Sequence, residues 1–281
     1  MNFELFISLR YLKARRKQIF ISVITLIAIA GVALGVAALL VTLSVMNGFQ
    51  TDLREKILGV NAHVVIFSQK GFDQEHEKKI ERALQNIEEI TSVAPFTYNQ
   101  VMVKSASASQ GIILKGVEPE RTLEVTSLKK YLVAGSWDGL FSPAGKGIVL
   151  GRELSRRLGV WIGKELFLIS PVIKMGAVPR LTQVTVQGIF ESGMYDYDST
   201  LAYVNIDFSR EMFKGVGGVE IKVKNIYRAR SLAELLRTKI KGPFVIRSWD
   251  QTHRNLFTAL KLEKTIMFII LILIVLSLIH I

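Results

Sequence analysis

Two apolar blocks frame this chain, and a mixed stretch lies between them. Residues 18–50 hold no charged side chain and read QIFISVITLIAIAGVALGVAALLVTLSVMNGFQ. A bilayer core of about 30 Å needs about 20 apolar helical residues. Lipid cannot pair open backbone groups, so the run is predicted to be one continuous helix. At about 1.5 Å per residue it would reach roughly 50 Å, enough to cross a membrane and continue as a stalk. Phe49, Leu53, Ile57 and Leu58 keep a helical period beyond Asn47-Gly48, although Asn-Gly usually signals a turn. The second block, residues 265–281, is apolar to its last residue and follows a helical stretch at 255–264. Its length, about 17 residues, is at the lower edge for a span. The expectation is a second membrane helix in a chain that is a fragment. His280 would be costly in lipid, which favours a misread gene end over an intramembrane histidine site.

Between the blocks the pattern is α+β. Strand-like runs occur at 62–67, 101–104, 111–116, 147–150, 165–169, 183–190, 201–206 and 219–223. Helical periods occur at 73–90, with Ile80, Leu84 and Ile87 on one face, at 152–158 ending in Gly159, and at 229–240.

Charge then orients the chain. Arg10, Lys13, Arg15, Arg16 and Lys17 precede the first block with one acid, Glu4. Such clusters stay cytoplasmic. The domains expected are a basic N-terminus at 1–18, membrane helix 1 at 19–46, an exported domain at 47–260 with stalk helices at both ends, and the start of membrane helix 2 at 265–281. A cleaved signal has an apolar core of only about 7 to 15 residues, half this run. Phe3, Phe6, Ile7, Leu9, Tyr11 and Leu12 recur at helical spacing. They suit either an amphipathic helix on the inner leaflet or an extension of the first membrane helix. Gly31 and Gly35 form a GxxxG pair that would let a second helix pack closely.

The balance of 36 Lys+Arg against 24 Asp+Glu gives +12. No dense basic stripe with interleaved aromatics appears, so nucleic acid is not an expected partner. The chain has no cysteine, which removes disulfides, thiol catalysis and thiolate metal sites. His63, His76, His253 and His280 lack metal-ligand spacing, and there is no GxSxG elbow. Gly159-Val-Trp-Ile-Gly163-Lys164 is one residue short of a phosphate loop, with Glu165 where Ser or Thr must stand. It reads as a turn. Asp196 and Asp198 could hold a cation, but two acids on a loop are more often solvated. No catalytic residue, metal site or cofactor is expected.

Four stretches carry a resemblance. They are Leu9-Arg10-Tyr11 with the basic cluster, and Gly31-Val-Ala-Leu-Gly35 leading to Leu43-Ser-Val-Met-Asn-Gly-Phe49. The third is Ile148-Val-Leu-Gly-Arg-Glu-Leu154 with Leu158-Gly159-Val160. The fourth is Trp249-Asp250 with Leu256-Phe257 and Glu263-Lys264. Together they resemble the lipoprotein-releasing permeases LolC and LolE, within the MacB/FtsX-like group of ABC transporters. The resemblance implies a MacB-like porter core with an inserted β-rich subdomain, held between transmembrane helices. It implies a separate LolD-like ATPase, a second LolC/LolE-type permease subunit, a LolA-like periplasmic chaperone, a lipoprotein substrate and membrane lipid as partners. The chain itself would not be an enzyme.

In that family a β-hairpin hook captures the chaperone. Met175, Gly176, Pro179 and Arg180 match its pattern, which makes Pro171, Val172, Ile173, Lys174 and Val178 the rest of the tip. Exposed apolar tips mark interaction sites; the alternative is an ordinary hairpin turn. Leu43, Met46, Asn47, Phe49 and Leu53, with Lys264, would form the lipoprotein cavity. The tip is slightly shorter than a LolC hook, Phe167 replaces an expected basic residue, and residues 192–199 resemble the LolE side. The LolC or LolE role, and a homodimer or heterodimer, therefore stay open. The rival readings are a MacB-like efflux or FtsX-like signalling permease, and a two-helix membrane sensor with an exported ligand domain.

Overall fold

The computed structural model describes residues 19–68, 71–141, 146–170, 181–213 and 216–280, with Phe3 and Ile7. The chain divides into two compact units, residues 1–53 with 254–281, and residues 54–253.

In the first unit, α1 (Ile19–Val60) is one helix of 42 residues, its last turns belonging to the second unit. It runs through Asn47-Gly48 without a break. A Cβ at Gly48 would meet nothing within 4 Å, so the dipeptide sits on an open helix surface and the apolar period decides. Among the described residues, Val23–Val60 is long and apolar enough to cross a membrane. The second apolar block joins the preceding helical stretch in one helix at Arg254–His280. The side chain of His280 lies outside the described residues.

The second unit starts with β1 (Val64–Ser68) and α2 (Gln74–Leu84). Asp73 caps α2 by accepting from the His76 backbone N–H. The helix ends at Leu84 rather than at 90, and Asn86 takes a left-handed φ of 69° two residues on. The expected strand at 101–104 is the last part of a 15-residue strand, β2 (Ile90–Lys104). Its first half alternates poorly and contains Pro95, and so does not read as a strand. Pro95 is tolerated because β3 pairs only from Phe96 onward, leaving it laddered on one side.

Next come β3 (Ser109–Val117), α3 (Pro119–Val125), β4 (Leu132–Gly135), β5 (Gly147–Gly151), α4 (Arg152–Leu158), β6 (Glu165–Ile169) and β7 (Leu181–Phe190). Gly159 ends α4 with a left-handed φ of 64°, as a C-terminal glycine should. The unit closes with α5 (Tyr195–Thr200), β8 (Leu201–Asn205), α6 (Ile206–Met212), β9 (Val216–Val223), α7 (Ala229–Lys239), β10 (Phe244–Ser248) and α8 (Trp249–Thr252). The helix α9 (Arg254–His280) follows in the first unit.

Pairing order shows two layers of organisation. Strands β10-β1-β9-β2 form an antiparallel sheet built from two strand–helix–strand units, β1-α2-β2 and β9-α7-β10. That is the split βαβ arrangement. Val64, Ile66, Val219, Ile221 and Ile246 point to one face and bury Ile80, Leu84, Leu232 and Leu236 of the two helices. Everything between β2 and β9 is an insertion. In it, β2-β3-β8-β5-β7 continue the ladder, and β6 pairs with both β7 and the end of β2. The six strands β2, β3, β8, β5, β7 and β6 therefore close into a barrel, which removes free edges. Alternate residues of each strand fill it: Val101, Val103, Ile112, Leu114, Ala202, Val204, Ile148, Leu150, Val184, Val186, Leu166 and Leu168. Leu154 and Leu158 of α4, with Phe208 of α6, pack onto this core. The long strand β2 belongs to both parts, its first half to the open sheet and its second half to the barrel.

Candidate functional site

The first unit carries a cavity of about 610 Å³ lined by Leu43 and Gln50 of α1 and by Phe257, Leu260, Lys261, Lys264, Thr265 and Phe268 of α9. The Lys264 ammonium donates to the side-chain carbonyl of Asn47 at 2.9 Å. Of the residues expected at a cavity, Leu43 and Lys264 line it, and Asn47 holds Lys264. Met46 and Leu53 are half-buried and Phe49 is exposed, and none of the three lines it. The α9 wall is a stripe at 257, 261, 264, 265 and 268, spacings that put one helix face together. Sequence reasoning named Phe257 and Lys264 without reading that period through to Thr265 and Phe268. Gly35 is buried and Gly31 half-buried on α1. The combination of apolar walls with a lysine held at the cavity by an amide suits an amphipathic guest with an anionic or polar end.

In the second unit, β6 and β7 pair as a hairpin with Ile169 opposite Leu181. The expected hook residues, Pro171, Val172, Ile173, Lys174, Met175, Gly176, Val178, Pro179 and Arg180, lie outside the described residues. Phe167, opposite Lys104 and Gln183, is half-exposed on the outer barrel wall.

Other candidates resolve into structure. Asp198 is buried and accepts from the Ser192 N–H and hydroxyl, both at 2.8 Å, and from the Gly193 N–H at 3.2 Å. It staples the 192–198 loop, and Asp196 stays outside this set. Among the described residues no cluster of three His, Asp or Glu could hold a metal. The His63 ring nitrogen Nδ1 accepts from the Val223 N–H at 3.1 Å, and burial lowers its pKa below the usual 6.5. The glycine pair at 159 and 163 forms the turn between α4 and β6, with left-handed φ at both.

The described residues thus hold a long apolar helix and, in the second unit, a split βαβ sheet with an inserted barrel. The family described as the MacB-like periplasmic core domain matches residues 25–239. The lipoprotein-releasing system transmembrane protein LolC of Neisseria meningitidis serogroup B is 36% identical over 98% of this chain and 67% of its own length. LolC of Xylella fastidiosa strain Temecula1 is 33% identical over 96% of this chain and 66% of its own. LolE of Haemophilus influenzae is 28% identical, over 98% and 68%. The chain belongs to the LolC/LolE family of ABC transporter permeases. It spans about two thirds of the length of these curated relatives.

Proposed function

We propose that this chain is a transmembrane subunit of an ABC transporter that releases lipoproteins from the bacterial inner membrane and passes them to a LolA-like periplasmic chaperone. The N-terminus faces the cytoplasm and residues 47–260 the periplasm. A LolD-like ATPase supplies energy and a second LolC/LolE-type subunit completes the permease. The observation that carries this reading is the cavity beside α1 and α9. Its apolar walls favour acyl chains at about 0.8 kcal/mol per buried CH₂. The Lys264–Asn47 pair at 2.9 Å gives the polar end of the guest a donor. The 171–180 connection between β6 and β7 serves as the chaperone hook.

A photo-crosslinking residue at Leu43 or Phe268, in the full complex loaded with an acylated lipoprotein, tests this. Adducts are expected at both positions and lost on ATP addition. Val45, exposed and absent from the cavity, is the control. Equal labelling at Leu43 and Val45 in an active complex would sink the proposal. Substituting Met175 and Pro179 together should abolish capture of the chaperone without affecting cargo labelling.

A further inference from the structure

The open sheet has a second face, opposite α2 and α7, and it holds a cavity of about 580 Å³. This lies within the range of about 300–1,000 Å³ usual for ligand clefts. Register explains how it forms. Gly218 of β9 stands between Phe67 of β1 and Phe96 of β2 in one cross-strand row. A Cβ there would sit 1.9 Å from the Ile66 carbonyl oxygen. Lacking one, the row lets Phe67 and Phe96 stack with centroids 6.3 Å apart, and Tyr98 meets Phe67 edge-on at 6.5 Å. These rings, with Val65 and Ile113, make an aromatic and aliphatic floor.

Polar groups stand within that floor. Lys115 of β3 lies opposite Tyr98 and Tyr203 and reaches across Phe96 to Glu220 of β9, Nζ to Oε1 at 2.6 Å. Its ammonium sits 5.4 Å from the Phe96 centroid and 5.9 Å from that of Tyr203. Among the described residues, three further atoms of cavity-lining residues have no partner: the Tyr203 hydroxyl, Glu220 Oε2 and His253 Nε2. Tyr203 is fully buried and Glu220 is 4% exposed. Unpaired buried polar groups are rare because each is costly. Burial and the Glu220 charge hold the Tyr203 phenol well above its ordinary pKa, so it remains a hydroxyl. Glu220 Oε2 is free to accept a hydrogen bond and the Tyr203 hydroxyl is free to donate one to a guest. The charged lining residues, Lys115 and Arg247 against Glu220 and Asp196, cancel, which disfavours a charged guest.

We propose that this cavity binds an extended, uncharged peptide segment, one amide donating to Glu220 and a neighbouring carbonyl accepting from Tyr203 while small apolar side chains lie on Phe67, Phe96 and Tyr98. An amide carries a donor and an acceptor side by side, which a lipid tail does not. The chemistry stands without the lipoprotein reading. Only the source of the peptide, the unfolded polypeptide that would follow a cargo's lipid anchor, rests on it.

The test uses the full chain in lipid nanodiscs with methyl labels on Ile and Val. The probes are N-acetyl-Ala-Ser-Ala-Ala-amide, its ester analogues lacking one N–H each, and lysophosphatidylglycerol. The peptide is expected to shift the Ile113, Val65 and Val245 methyls saturably. At least one ester should bind about tenfold more weakly, the loss of a hydrogen bond to a charged group. Tyr203→Phe should weaken binding by a similar factor yet raise the thermal midpoint of the free protein, because the hydroxyl it removes has no partner. Glu220→Gln, which exchanges the charged acceptor for a neutral amide, should weaken binding by up to about tenfold, and Tyr203→Phe decides the matter if that variant fails to fold. Undiminished binding by every ester or by Tyr203→Phe, shifts with the lysophospholipid alone, or no saturable shift with the peptide would each overturn the proposal. In the assembled transporter, a crosslinker at Ile113 that labels cargo polypeptide identifies the source. Labelling only of this chain's own segments would overturn that assignment while leaving the site intact.

Discussion

Replacing Glu220 with Ala strands the Lys115 ammonium in the sheet face. The two side chains are 8% and 5% exposed and their charged atoms are 2.6 Å apart. At an effective dielectric near 20 the attraction is about 6 kcal/mol, but desolvating each ion costs several kcal/mol. The intact pair should therefore contribute little net stability. Removing one partner removes the attraction and keeps the other's penalty, a loss of about 3–5 kcal/mol. Phe96 and Tyr203 beneath the ammonium return only about 1–2 kcal/mol of that. That leaves a net loss of about 1–4 kcal/mol; for a domain of this size about 2–4 °C accompanies each kcal/mol, so Glu220→Ala should lower the midpoint by about 2–16 °C. Lys115→Met should do the same. The double variant Lys115→Met/Glu220→Leu should recover to within about 1 kcal/mol of the parent or exceed it. Thermal and urea denaturation followed by near-UV circular dichroism gives all four corners of the cycle. Additive losses in the double variant would refute the reasoning, because they would mean that the charges act independently. So would a single-variant loss below about 1 kcal/mol.

Three further expectations follow from particular contacts. Burial depresses the pKa of both His63 and His253 below the usual 6.5. Below about pH 6.5 the unfolded chain thus takes up protons that the folded one refuses, and stability is full above that pH and falls as pH drops, by at most about 1.4 kcal/mol per pH unit for each ring and less where solvent screens it. His63→Asn, which keeps an acceptor for the Val223 N–H, should flatten that slope in urea titrations at several pH values; an unchanged slope would remove His63 from the account. Gly218→Ala would press a methyl onto the Ile66 backbone carbonyl at 1.9 Å, and its denaturation midpoint should show a loss of at least about 3 kcal/mol. Asn47→Ala should cost helix association only about 0.6 kcal/mol, the usual worth of one membrane hydrogen bond, yet it should reduce cargo crosslinking at Leu43, because Lys264 loses the carbonyl that holds it at the cavity; unchanged crosslinking would mean that the pair only packs helices.

The long uncharged run was legible because lipid imposes a length and forbids polar side chains, and α1 follows it through Asn47-Gly48. The strands with alternating apolar residues, such as 165–169 and 183–190, were legible because one face of each is buried in the barrel. The first half of β2 was not, since its neighbours β9 and β3 rather than its own pattern make it a strand. The edge strands β4 and β10 were missed for the same reason: each is four or five residues long and pairs on one side. Family motifs pointed to Leu43, Asn47 and Lys264. They could not show that Lys264 donates to Asn47, a contact across 217 residues of chain.

By itself the sequence determined the quantities that depend on local composition. These are the apolar span, the basic flank before it, the lack of cysteine, and the α+β alternation between the two apolar blocks. Tertiary structure alone decided the closure of the barrel, because β6 reaches β2 only after more than 60 residues of intervening chain have folded back. It also decided the Lys115–Glu220 pair and the unpartnered Tyr203 hydroxyl. Those residues are far apart in sequence and sit among ordinary strand residues. Only strand register sets the distances on which their electrostatics depend.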